Sequence, residues 1–81
     1  MKILYFAYLV DKLGRASETL TLPVEVRTAG ELLGLLRRRG GVWERALADD
    51  RVQILVNRKF ATAGTVISES DEVAFVSNAP G

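Results

Sequence analysis

Thr28-Ala29-Gly30-Glu31-Leu32-Leu33-Gly34-Leu35-Leu36-Arg37-Arg38-Arg39-Gly40-Gly41 decides the fold, because it is the one long helical segment in a chain otherwise made of short strands. Thr28 and Glu31 have the spacing of a capping box, in which each side chain satisfies the other's backbone N–H. Leu32, Leu33, Leu35 and Leu36 then cover one helical face. The three arginines fall in the last turn, where cations interact favourably with the helix dipole. Gly40 and Gly41 stop the helix.

On the N-terminal side, Lys2 to Ala7 is rich in aromatic and branched residues and predicts a strand. Its near-continuous apolarity predicts a central strand with both faces covered. Tyr8 to Leu13, closed by Gly14, fits a short helical turn with a glycine C-cap. Ser17 to Leu22 alternates polar and apolar, as a half-buried strand does, and Pro23 ends it. On the C-terminal side, Val42 to Ala48 predicts a second, shorter helix with Trp43 and Leu47 on one face. Val52 to Val56 is a strand, Asn57-Arg58-Lys59 a turn, and Phe60-Ala61-Thr62 a short return strand. Ser68-Glu69-Ser70-Asp71 is a polar turn and Glu72 to Val76 the last strand. The order of elements predicts an α+β domain: one mixed sheet packed on one main helix, with the first and last strands as central neighbours.

The chain of 81 residues has room for one domain and one core. Its 48% apolar and 26% charged content is that of a folded soluble domain. A net charge of +1 provides no global field for nucleic acid or an anionic membrane, so neither is expected as a partner. No apolar run approaches the ~20 residues needed to span a bilayer. The absence of cysteine excludes disulfides and thiolate chemistry, and is compatible with a reducing cytosol. The absence of histidine removes the usual proton shuttle and the commonest metal ligand.

Without His and Cys, neither Ser-His-Asp nor Cys-His sites can be assembled. Asp49-Asp50 and Asp71-Glu72 lie in predicted turns, where solvated acids are ordinary. No phosphate loop or calcium loop is present, and no metal or cofactor is expected on this chain. Arg37-Arg38-Arg39 point in different directions around a helix and form no flat patch, so they read as a dipole-complementing, solvated set or as partner contacts. The tail Ser77-Asn78-Ala79-Pro80-Gly81 remains. Fully extended it would reach about 16–18 Å. Pro80 biases Ala79 toward an extended conformation, and Gly81 has no Cβ to obstruct passage of its carboxylate through a narrow channel.

The whole chain resembles the MoaD-type sulfur carriers, the small subunits of molybdopterin synthase in the MoaD/ThiS family of ubiquitin-like β-grasp proteins. The resemblance runs through Ile3-Leu4-Tyr5-Phe6-Ala7, Thr28-Ala29-Gly30-Glu31-Leu32, Trp43-Glu44-Arg45-Ala46-Leu47, Val56-Asn57-Arg58-Lys59-Phe60 and Asp71-Glu72-Val73-Ala74-Phe75. It implies a single sulfur-carrier domain over 1–81 with a C-terminal tail at 77–81. It implies that Gly81 is the reactive residue. Its carboxylate would be adenylated by a ubiquitin-activating-type enzyme that uses ATP, then converted to a thiocarboxylate. The sulfur would be delivered, inside a cytoplasmic heterotetramer of two small and two large synthase subunits, to a pyranopterin precursor to build a dithiolene. The chain would carry out no catalysis alone, but would belong to a sulfurtransferase. Partner docking is implied for Phe6, Phe60, Phe75, Val76, Ala79 and Pro80. One departure stands: the family ends Gly-Gly, whereas this chain ends Pro80-Gly81, so Gly81 matches either the terminal or the penultimate glycine.

Two other readings compete. One is a carrier for another pathway, such as thiamine thiazole or tungsten cofactor. The other is a β-grasp binding module that needs no free terminus.

Overall fold

The structure, a computed structural model, describes residues 1–48 and 51–77. The elements are β1 (Lys2–Phe6), α1 (Tyr8–Leu13), β2 (Ser17–Thr19), α2 (Ala29–Arg37), α3 (Val42–Ala46), β3 (Val52–Val56), β4 (Lys59–Ala61) and β5 (Glu72–Ser77). The five strands form one sheet in the order β2-β1-β5-β3-β4. β1 and β5 are parallel central neighbours, as their apolar sequences predict, and the other pairings are antiparallel. The ubiquitin-like β-grasp expectation holds: a mixed sheet with its main helix across one face.

Local chemistry accounts for the element ends. At α2, the Glu31 N–H donates to Thr28 Oγ1 at 3.2 Å, and the Thr28 N–H donates to Glu31 Oε1 at 3.0 Å, which completes the capping box. Gly14 closes α1 at φ 75°, in the left-handed region that favours glycine. Asn57 and Arg58 have φ of 51° and 70°, the two-residue hairpin geometry whose twist matches that of the strands. The Asn57 side chain ties this hairpin to β5, accepting from the Glu72 N–H at 3.0 Å and donating to Asp71 Oδ1 at 2.9 Å. The strand expected over Ser17–Leu22 ends at Thr19. Beyond it the Leu22 N–H donates to Glu69 Oε2 at 2.7 Å rather than to a neighbouring strand.

The period-2 alternation of the strands sorts the residues of the sheet. Ile3 and Tyr5 of β1, Ile54 of β3, and Val73 and Phe75 of β5 face the helices. They pack against Leu9, Leu32, Leu36 and Leu47 to form the core. Gly30 allows α2 to approach the Ala63 segment: its N–H donates to the Ala63 carbonyl at 2.8 Å, and a Cβ there would stand 2.8 Å from the Ala63 Cβ.

One expectation is corrected here. β1 is central in hydrogen bonding, but only one of its faces is covered. Its continuous apolarity has a different cause: Leu4 and Phe6 lie on the face opposite the helices, and Phe6 is 45% exposed.

Candidate functional site

The open face of the sheet gathers apolar side chains from four strands. The register sets Leu4 of β1 beside Ala74 of β5, Ala74 beside Leu55 of β3, and Leu55 beside Phe60 of β4. One row further along, Phe6 lies beside Val76, and Val76 beside Gln53. Paired residues in neighbouring strands point to the same side, so apart from Gln53 these two rows make one apolar stripe across the sheet. Within it Leu4, Phe6, Leu55 and Ala74 line a shallow cavity of ≈ 330 Å³, with Arg58 and Glu72 at one end. Phe60, just past the hairpin turn, is 78% exposed, far from the near-complete burial of a core phenylalanine.

Of the residues expected to dock a partner, Phe6, Phe60 and Val76 therefore share one face. Phe75 does not. It is fully buried on the helix side, stacked on the Tyr5 ring with centroids 6.3 Å apart. Its role is corrected from docking to core packing, because its strand neighbours Ala74 and Val76 occupy the open face. Leu4, Leu55 and Ala74 were missed. Stepping by two along each strand from Phe6 and Val76 would have found Leu4 and Ala74, but Leu55 needed the β3–β5 register. Gly81, Ala79 and Pro80 lie outside the described residues. The strand that precedes them, β5, runs through the middle of the sheet, and its last residue, Ser77, directly follows Val76 of the open face.

Many of the scaffold's polar groups pair with one another. Among the described residues no buried polar side-chain atom lacks a partner, and no group of His, Cys, Asp or Glu could hold a metal ion. The densest cluster lies at the β2 edge. Glu18 accepts two hydrogen bonds from Arg39, at 2.7 and 2.9 Å, and one from the Tyr5 hydroxyl at 2.8 Å. The Arg39 bonds hold the Glu18 carboxyl below its ordinary range, while burial, with Glu18 adding to it, pushes the Tyr5 phenol well up. The Arg39 guanidinium also lies 4.4 Å from the centre of the Trp43 ring. Of the arginine triplet expected as a solvated set, Arg39 is thus committed to joining β2 to the helix layer.

No helix among the described residues is long and apolar enough to cross a membrane. A family model, described as the ThiS family, matches residues 3–81. No curated protein matches the chain. Solved structures do. SAMP1 from Haloferax volcanii superposes with a TM-score of 0.76 at 25% identity, over 100% of this chain and 97% of its own. A molybdopterin converting factor subunit 1 from Pyrococcus furiosus gives a TM-score of 0.75 at 22% identity, over 96% and 95%. The HVO 2177 protein of Haloferax volcanii gives 0.79 at 19% identity, over 99% and 83%.

Proposed function

On the premise that the chain belongs to the ThiS family, we propose that it is a cytoplasmic sulfur carrier whose working group is the C-terminal glycine carboxylate, acting as the small subunit of molybdopterin synthase. The observation that carries this reading is the coupling of the apolar open face to the tail. The central strand β5 supplies Ala74 and Val76 to the face and is the element that immediately precedes residues 78–81 in the chain. A partner that covers Phe6, Val76 and Phe60 thereby holds the point from which the tail leaves the domain, and positioning of this kind is a main source of rate. The likeness in fold to a molybdopterin converting factor subunit 1 agrees with this assignment.

The chemistry asks little of this scaffold. A carboxylate is a poor electrophile. An adenylating partner joins it to AMP from ATP, releasing pyrophosphate, and a sulfur nucleophile then displaces AMP to leave a thiocarboxylate. The tail, seated in a large subunit, then presents that sulfur as a nucleophile to a pyranopterin. A domain whose buried polar side-chain atoms, among the described residues, are already paired suits this division of labour, because the catalytic groups would belong to the partners.

A second fate of the same activated carboxylate is favoured by the similarity to SAMP1, a small archaeal modifier protein. An amine of another protein would displace AMP and form an amide. One experiment separates the two. The chain is incubated with the adenylating enzyme of its host, ATP and a sulfur donor, and the intact mass is measured. Replacement of one terminal oxygen by sulfur supports the carrier, conjugates to other proteins support the modifier, and neither product in a chain with its native end refutes both.

A further inference from the structure

A second surface adjoins the base of the tail. Lys12 of α1, Arg45 of α3 and Arg51, which precedes β3, converge with Tyr8, Val42 and Ala46 on one cavity of ≈ 220 Å³. Folding does not account for this convergence. Arg15 and Arg39 are paired with Glu18, and Arg58 lies 3.9 Å from Glu72. Among the described residues, by contrast, no carboxylate lies within ion-pair distance of Lys12, Arg45 or Arg51. The Lys12 ammonium lies 5.3 Å from the centre of the Tyr8 ring. Three like charges around one small cavity repel one another, and a bound anion would relieve that repulsion. The charge is local, because the chain as a whole carries only +1.

The position of the cavity indicates the occupant. Arg51 is one residue before Val52, which is paired with Ser77, the last described residue before the tail. Tyr8 lies two residues beyond Phe6, which is paired with Val76. The cationic cavity and the apolar face therefore flank the same chain exit. A protein that encloses the tail at this exit, and so reaches both sides of the end of β5, can also meet Lys12, Arg45 and Arg51. We propose that this cavity receives Asp or Glu side chains from the partner protein that takes the tail, steering its approach and fixing its rotation about the tail. The identity of the partner rests on the carrier reading above, whereas the recognition chemistry does not. A nucleic-acid backbone is a poorer match, since its binding needs an extended basic track rather than one small cavity.

The test uses the full chain and two probes, a hexaglutamate peptide and inorganic phosphate, followed by NMR at low salt. Hexaglutamate is expected to produce saturable shifts confined to the side chains of Lys12, Arg45 and Arg51. The doubly substituted chain, Arg45→Gln with Arg51→Gln, is expected to bind it about tenfold more weakly, and binding is expected to vanish near 1 M salt, where screening acts within about 3 Å. An unchanged backbone spectrum shows that the variant is folded. Shifts spread evenly over all arginines, affinity unchanged by the double substitution, or phosphate bound as tightly as hexaglutamate would each overturn the proposal. Sulfur loading is read separately by mass. A chain that accepts sulfur but shows no local binding refutes the cavity alone, and one that binds hexaglutamate locally but never accepts sulfur refutes the carrier alone.

Discussion

Phe60 and Phe75 are the same residue type on the same sheet, and truncating each to alanine should have opposite consequences. Phe60 is 78% exposed, so of the roughly 200 Å² a phenyl side chain offers, about 150 Å² is available to a partner. At about 25 cal/mol per Å² that area is worth up to ~4 kcal/mol on docking. The costs of association reduce it to roughly 2 kcal/mol, or about thirtyfold in affinity. The buried remainder contributes about 1 kcal/mol to folding. Phe75 is fully buried against Tyr5, and its truncation leaves a cavity costing about 3–5 kcal/mol. At roughly 0.05–0.15 kcal/mol per residue, that is a large part of the stability of a chain of 81 residues. Urea unfolding followed by circular dichroism reads the folding term, and the concentration of adenylating enzyme needed for half-maximal sulfur loading reads the docking term. F60A should keep its urea midpoint within about 1 M of the wild type and lose affinity. F75A should lose a large part of its stability, with its urea midpoint falling well below that of F60A. If F60A docks as well as the wild type, or if it unfolds as readily as F75A, the assignment of the open face as the docking surface is wrong.

Two glycines of α2, four residues apart, should also part company. Gly34→Ala meets no atom within 4 Å and should stabilise by about 0.5–1 kcal/mol through helix propensity, whereas Gly30→Ala drives its Cβ into Ala63 and should destabilise by about 1–2 kcal/mol net, both measured by urea unfolding. Glu18, Glu31, Glu69 and Asp71 all have carboxyl groups held below their ordinary range, by Arg39, the Arg27 N–H, the N-terminal ammonium and Asn57 respectively. Their stabilisation is complete above the unfolded carboxylate values near 4 and is lost as pH falls through the folded ones, because the unfolded chain then binds more protons. The urea midpoint should be flat above about pH 5 and fall below pH 4, and Glu18→Gln should lower the plateau by about 1–3 kcal/mol while flattening the acid limb. Ala7, the N-cap residue just before α1, has φ 53° and ψ −123°, nearly the conformation of Gly41 at φ 57° and ψ −127° before α3. Relief of that strain exceeds the entropy that glycine adds to the unfolded chain, so Ala7→Gly should raise the melting temperature, a gain of about 1 kcal/mol.

Much of this chain is legible one element at a time. The capping box at Thr28 and Glu31, the glycine stop at Gly14, a turn beginning at Asn57 and the apolar strands β1 and β5 each follow from rules that act within a few residues. The sequence by itself therefore determined which elements form, several of their ends, and that a mixed sheet would pack on one main helix. It overran β2, which ends at Thr19, and α3, which ends at Ala46. Which side of each strand meets the helices could not be read that way, since it depends on register between segments up to some seventy residues apart. Lys2↔Glu72 and Leu55↔Ala74 put Phe75 in the core and leave Phe6, Val76 and Phe60 together on the open side. The same holds for the charges. Arg39 lies beside Gly40 in the chain and reads as a solvated cation, yet folding carries it to Glu18 and Trp43, while Lys12, Arg45 and Arg51, far apart in sequence, come to share one cavity. Short-range rules act through the backbone of neighbouring residues. Only the tertiary structure brings distant side chains onto one face, and it is those faces that a partner meets.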